Sequence, residues 1–155
     1  MYYYANKFKL SNVRIFRQKV KIPREKIFEA GQKVMESLAQ IRHGMLDVEY
    51  YDEEGTGVGP TLEFYSLLSK DIRQLSIWRN GGHELGLFPS PCAKSKKSLE
   101  YFTFVGTAIA KAILDDHMVD LPMSPAFWTL IFRKNYAITD LNYIDKDLAS
   151  TMIIL

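Results

Sequence analysis

The stretch LEYFTFVGTAIAKAIL, Leu99 to Leu114, constrains the fold most tightly, because only Glu100 and Lys111 carry charge in it. Its small and apolar residues read as a helix that is hydrophobic nearly all round, and such a helix belongs in the middle of a domain. It is shorter than the roughly 20 residues a membrane helix needs. Other elements of the 155-residue chain must therefore cover it, and a chain of that length has enough surface to do so.

Those covering elements are legible from their periods. RQKVKIP alternates Lys19 and Lys21 with Val20 and Ile22, a short strand with one wet face, and Pro23 then suits the start of a helix. REKIFEAGQKVMESLAQI sets Ile27, Val34, Leu38 and Ile41 on one stripe, widened by Phe28 and Met35, which predicts an amphipathic helix ending near Gly44. MLDVEYY alternates Leu46, Val48 and Tyr50 with Asp47 and Glu49, as a half-buried strand does. From Pro60 a helical period resumes through Phe64, Leu67, Leu68 and Ile72. After Leu75 the pattern dissolves around Gly81-Gly82, Pro89 and Pro91, with a short strand at 85–88. SPAFWTLIFRK opens on Ser124 as N-cap and Pro125 at the first helical position. TDLNYIDKDLASTMIIL reads as one or two short helices with Thr139 or Asp140 as cap. The fold class is mainly α with a few short β-strands (α+β).

Between the second strand and the next helix lies DEEGTGVGP, whose Gly55, Gly57 and Gly59 raise the question of a phosphate cradle. The spacing is G-x-G-x-G, neither the dinucleotide fingerprint nor a P-loop. Asp52, Glu53 and Glu54 would repel a phosphate there, and Pro60 removes a backbone N–H from the helix start. The reading preferred is a strand-to-helix turn whose glycines allow positive φ or close backbone approach.

Several function classes recede on similar grounds. The lone Cys92 excludes an internal disulfide and any zinc site built on several cysteines. Its basic neighbours Lys94, Lys96 and Lys97 favour a thiolate, but no histidine is close in sequence, and His43, His83 and His117 show no metal spacing. No metal or cofactor is expected. Glu53-Glu54 and Asp115-Asp116 read as solvated loop acids, adjacent pairs whose members diverge in regular structure. Asp115-Asp116 also closes the preceding helix poorly against its dipole, so the turn DDHMVDLP matters more than the helix end. From Met1 to Lys26 the basic residues meet only Glu25, so a nucleic-acid-binding surface is an alternative ranked below a solvated strand face with a lead at 1–16. The N-terminus has no signal-peptide core and no run suits a membrane, which predicts a cytoplasmic and/or nuclear location without a membrane partner.

Three blocks carry a resemblance. The positions Tyr101, Phe102, Phe104, Gly106, Leu121, Pro122, Phe127 and Trp128 follow the Tyr-Phe-x-Phe-x-Gly helix, Leu-Pro turn and aromatic helix of HECT-type ubiquitin ligases. YDEEGTGVGPTLEFYSLLSKDI resembles the acidic, glycine-rich turn and following helix of that family, with Leu62, Glu63, Phe64 and Tyr65 where many members have Arg-Glu-Trp-Phe. That wording is similar to the ubiquitin-fusion-degradation subgroup, and RQKVKIPREKIFEAGQKVM is similar to the opening strand and helix of the domain.

The resemblance implies the larger subdomain of a HECT N-lobe over 17–155, truncated before the conjugating-enzyme-docking subdomain and the C-lobe. In this family a ubiquitin-conjugating enzyme passes ubiquitin to a C-lobe cysteine, and the thioester then transfers it to a substrate lysine, a covalent relay serving protein degradation. Cys92, in Pro-Cys-Ala, does not match the position of that nucleophile, so no catalytic residue carries over and the chain alone is expected to be inactive. The apolar ending MIIL agrees with a domain that continues. Some relatives hold a second ubiquitin non-covalently near the strand after the irregular loop, and Leu87 and Phe88 occupy the comparable place, where packing of a short strand is the competing reading. A non-catalytic interaction module derived from the lobe is the other alternative.

Overall fold

The computed structural model describes residues 16–38, 44–55, 57–79, 86–132 and 135–153. The order is β1 (Phe16–Ile22), a 3₁₀ turn (Arg24–Lys26) running into α1 (Ile27–Leu38), β2 (Gly44–Tyr50), α2 (Val58–Arg73), α3 (Lys96–Leu114), α4 (Pro125–Phe132), a second 3₁₀ turn (Ile138–Tyr143) and α5 (Lys146–Ile153). Mostly helical with one small sheet, it has the expected class.

β1 and β2 pair in parallel, with Val20 opposite Val48 and Ile22 opposite Tyr50. Parallel strands need a crossover, and α1 supplies it, giving a β-α-β unit. Lys19 and Lys21 face water as the alternation predicts, while Ile22 is buried. β2 is covered on both faces: Leu46, Val48 and Tyr50 are buried, and so is Asp47 on the opposite face. The half-buried reading underestimated it, because alternation reports side-chain polarity and not what packs above a strand. Gly44 opens β2 and does not end α1, whose last described residue is Leu38; Ile41 lies outside the described residues.

α1 presents Ile27, Val34 and Met35 to a core shared with Phe64, Leu68 and Ile72 of α2 and Phe104, Val105 and Ala108 of α3. Phe28 meets Tyr101 and Phe104 edge-on at centroid distances of 5.6 and 5.4 Å, which fastens α1 to α3. α3 starts earlier than its apolar run, at Lys96, because the Ser95 hydroxyl caps it by accepting the Ser98 N–H at 3.1 Å. Only one face of α3 is buried; Leu99, Ile113 and Leu114 are exposed in the described structure. An all-apolar sequence states what a helix can bury, not how many neighbours reach it.

The end of α3 resolves the expected conflict with its dipole. Asp116 takes φ 59°, the His117 N–H bonds to Ala112 O at 2.8 Å, and the Asp116 N–H bonds to Ile113 O at 3.2 Å. This is a Schellman close, with an aspartate at the left-handed position that glycine usually fills. α4 is capped by Ser124, whose Oγ accepts the Phe127 N–H at 3.2 Å. Asp140 accepts the Ala137 N–H at 2.9 Å within the second 3₁₀ turn. The cap of α5 is Asp145, which accepts the Leu148 N–H at 3.0 Å; it, and neither Thr139 nor Asp140, starts the last α-helix.

Candidate functional site

Residues 86–90 form an extended strap held along both edges. On one edge the Arg79 N–H donates to Phe88 O at 2.9 Å and the Ser90 N–H to Ile77 O at 2.8 Å. On the other the Leu87 N–H donates to Pro122 O at 2.7 Å, and the Ser124 N–H to Leu87 O at 3.0 Å. The expected strand is thus a run of single bridges, Trp78 to Pro89 antiparallel and Leu87 to Met123 parallel. Gly86 makes this approach possible at φ 83°, since a Cβ there would stand 2.7 Å from Ser124 N and 2.8 Å from Pro122 O.

Leu87 is 3% exposed and belongs to the core, whereas Phe88 is partly exposed. Of the two candidate ubiquitin-contact residues, only Phe88 therefore presents side chain to solvent. Beneath the strap Trp78 meets Phe102 edge-on at 5.7 Å and donates its indole N–H to Ile72 O at 2.7 Å. The neighbouring Arg79 reaches across to Asp145 at 2.6 Å. Sequence reading passed over both members of that pair, although Asp145 three residues before Leu148 is a recognisable N-cap pattern.

The acidic turn closes on a cation of the chain itself. Arg24 grips Glu53 in a fork, Nε to Oε1 at 2.6 Å and Nη2 to Oε2 at 2.8 Å, and its Nη1 reaches Glu63 in the first turns of α2. The guanidinium also lies 4.2 Å over the Tyr50 ring. The hydrogen bonds it donates to Glu53 and then Glu63 push the Arg24 pKa further up, and Arg24 holds the Glu53 carboxyl below its usual range. Of the three glycines only Gly57, at φ 95° and ψ −150°, occupies a conformation closed to other residues. Beyond its chain neighbours a Cβ on Gly59 would meet nothing within 4 Å, so no close approach demands a glycine there. The strand hands over to the helix through Thr61, whose buried hydroxyl accepts the Val48 N–H at 2.9 Å.

Asp115 departs from its reading as a solvated loop acid. It is 2% exposed, accepts the Leu46 N–H at 3.0 Å and pairs with Lys111, whose Nζ also donates to Gly44 O at 2.6 Å. The start of β2 is thereby pinned to the end of α3. The acid is buried because its partner cation is four residues back on the same helix face. Asp116, Glu53 and Glu54 are exposed, as expected.

Cys92 sits exposed in a turn, and His117 packs against the Tyr65 ring at 5.4 Å; His43 and His83 lie outside the described residues. Among the described residues no three metal-capable side chains converge, and no helix is long and apolar enough to cross a membrane. On β1, Lys19 and Lys21 both reach Glu49, at 2.9 and 3.8 Å, which neutralises much of that basic face locally. On α4 the Trp128 and Phe132 rings stack at 5.7 Å beside a groove of about 720 Å³ lined by Met123, Pro125, Asn142 and Tyr143.

A family model described as HECT-domain (ubiquitin-transferase) matches residues 65–155. The chain is similar to E3 ubiquitin-protein ligase UPL3 of Arabidopsis thaliana, 33% identical over 90% of the chain and 9% of that protein. It is 34% identical to Ubiquitin fusion degradation protein 4 of Saccharomyces cerevisiae over 77% of the chain and 9% of the relative. E3 ubiquitin-protein ligase TRIP12 of Danio rerio is 32% identical over 90% of the chain and 8% of its own length. The chain spans about a tenth of the length of these curated relatives.

Proposed function

The chain belongs to the HECT-domain family of ubiquitin transferases, and from that premise we propose that it serves as the N-lobe portion of a HECT ubiquitin-protein ligase of the ubiquitin-fusion-degradation kind. The observation that carries this reading is the similarity to UPL3 across 90% of the chain, which takes in the acidic turn and the Tyr101–Trp128 block.

On this reading the chain is scaffold for the relay, with a ubiquitin-conjugating enzyme, ubiquitin and protein substrates as partners of the whole ligase. The nucleophile is a cysteine other than Cys92, which lies in an exposed turn within Pro-Cys-Ala. Partition of the chain into a lead at 1–16 and a HECT part at 17–155 belongs to the same reading, as does a cytoplasmic and/or nuclear location. Ubiquitin contact on this lobe falls to the Phe88 ring, with Leu87 supporting it from the core. The paired Lys19, Lys21 and Glu49 favour this over binding to phosphate backbones.

The test uses a conjugating enzyme charged with ubiquitin and the longest product of the gene. A reductant-sensitive ubiquitin adduct on that product, unchanged by Cys92→Ala, is expected. An adduct abolished by Cys92→Ala, or none with any of a panel of charged conjugating enzymes, would sink the reading.

A further inference from the structure

The strap 86–90 holds together parts of the chain that are distant in sequence, and we propose that it is a coupling joint between the Phe88 surface and the C-terminal helical arm, residues 125–132 and 135–153, with Arg79 as the positioning residue. The proposal rests on reading Phe88 as a ubiquitin contact, but the joint itself is built from bonds that exist without any ligand.

Both helices of the arm begin at a cap that touches the strap or its neighbour. Ser124 caps α4 through its Oγ while its N–H donates to Leu87 O. Asp145 caps α5 through Oδ1 while Oδ2 takes the Arg79 guanidinium at 2.6 Å. The backbone N–H of that same Arg79 donates to Phe88 O. Phe88 is thus one residue from the cap of α4 by way of Leu87, and one residue from the cap of α5 by way of Arg79. There is little slack in the first connection, because Gly86 brings its backbone so close to Pro122 and Ser124 that a Cβ would clash. Within the arm, α4 and α5 both pack on the 138–143 turn, and Ala126 and Ala149 are fully buried.

A ligand seated over Phe88 that holds its carbonyl in place also holds the Arg79 backbone through that bond, and with it the root of the side chain that reaches Asp145. The side chains of the pair are only 36% and 27% exposed. Coupling is reciprocal, so whatever holds the arm also sets affinity at Phe88.

The test is hydrogen exchange on the whole chain with ubiquitin as the probe, in wild type, Arg79→Met and Asp145→Asn. The asparagine keeps an oxygen to cap α5 and loses the charge, which separates the pair from the cap. In wild type, ubiquitin is expected to slow exchange about fivefold or more in both 87–90 and 146–153. In both variants 87–90 should still respond while 146–153 does not. Equal responses of the arm in wild type and Arg79→Met, or a wild-type arm silent while the strap responds, would overturn the joint. If ubiquitin leaves 87–90 unchanged, the ubiquitin reading of Phe88 fails, and the joint is judged without ligand by exchange in 87–90 of Asp145→Asn. Faster exchange there than in wild type supports it, and an unchanged strap overturns it.

Discussion

The carboxylate of Asp115 accepts the backbone N–H of Leu46 at 3.0 Å, a bond between residues 69 positions apart that ties the start of β2 to the end of α3. Tyr65 OH lies 3.5 Å from the same oxygen, and Lys111 pairs with the other. Burial, followed by the Asp115 charge, pushes the Tyr65 phenol well above its ordinary pKa.

Removing the acid should therefore cost more than one hydrogen bond. Asp115→Ala leaves the Lys111 ammonium, 11% exposed, without its counter-charge and the Leu46 N–H without an acceptor. The expected loss is about 3 kcal/mol in urea unfolding. Lys111→Met added to it should recover part of that. A double variant no more stable than Asp115→Ala alone would show that the unpaired cation is not the cause.

The Arg24 clamp predicts acid sensitivity of a defined sign. Because Arg24 depresses the Glu53 pKa, the clamp contributes fully above the unfolded carboxyl value of about 4.3 and fades as pH falls through the lower folded value. Arg24→Gln should flatten that part of the stability profile. Lysine at the same position should not restore it, since an ammonium cannot make the bidentate fork. An unaltered acid limb in Arg24→Gln would count against the clamp.

Tyr50 predicts a gain. Its hydroxyl is buried and finds no hydrogen-bond partner among the described residues. Burial, and secondarily Glu63, raise its pKa to about 12. The neutral phenol therefore stabilises fully below the unfolded value of about 10, and that contribution is lost as pH rises through about 12. Tyr50→Phe should stabilise by about 1 kcal/mol at neutral pH and remove this part of the alkaline loss. Destabilisation on thermal melting would mean that the hydroxyl has a partner.

Two glycines should respond very differently to the same change. Gly86→Ala forces a Cβ onto backbone atoms at a positive φ, and a loss of at least about 2 kcal/mol is expected. Gly59→Ala, in the second position of α2, should lose far less, since beyond its chain neighbours a Cβ there meets nothing within 4 Å and only the following Pro60 crowds it. Melting both variants beside the parent decides it.

Periodicity made β1, β2, α1 and α2 legible, because Val20, Ile22, Leu46, Val48, Phe64 and Leu68 declare their faces within a few residues of chain. The HECT resemblance was legible for the same reason, since the Tyr101–Trp128 block is a linear pattern. Of the candidate contact, Leu87 and Phe88 were singled out together, yet neighbours in an extended strap point to opposite sides, and only coordinates say which side is the core. Likewise nothing in DEEGTGVG distinguishes Gly57 from Gly55 and Gly59, because the need for a positive φ arises from where the chain must go next.

The sequence by itself determined the type and order of the main elements and the family, for these depend on residue spacing along the chain. Tertiary structure alone decided that Asp115 is buried and Asp116 is not, that Arg24 claims Glu53 and Glu63, and that Arg79 finds Asp145. The reason is physical: a charge is settled by whichever partner and dielectric it meets in space, and these partners stand between 4 and 69 residues away along the chain.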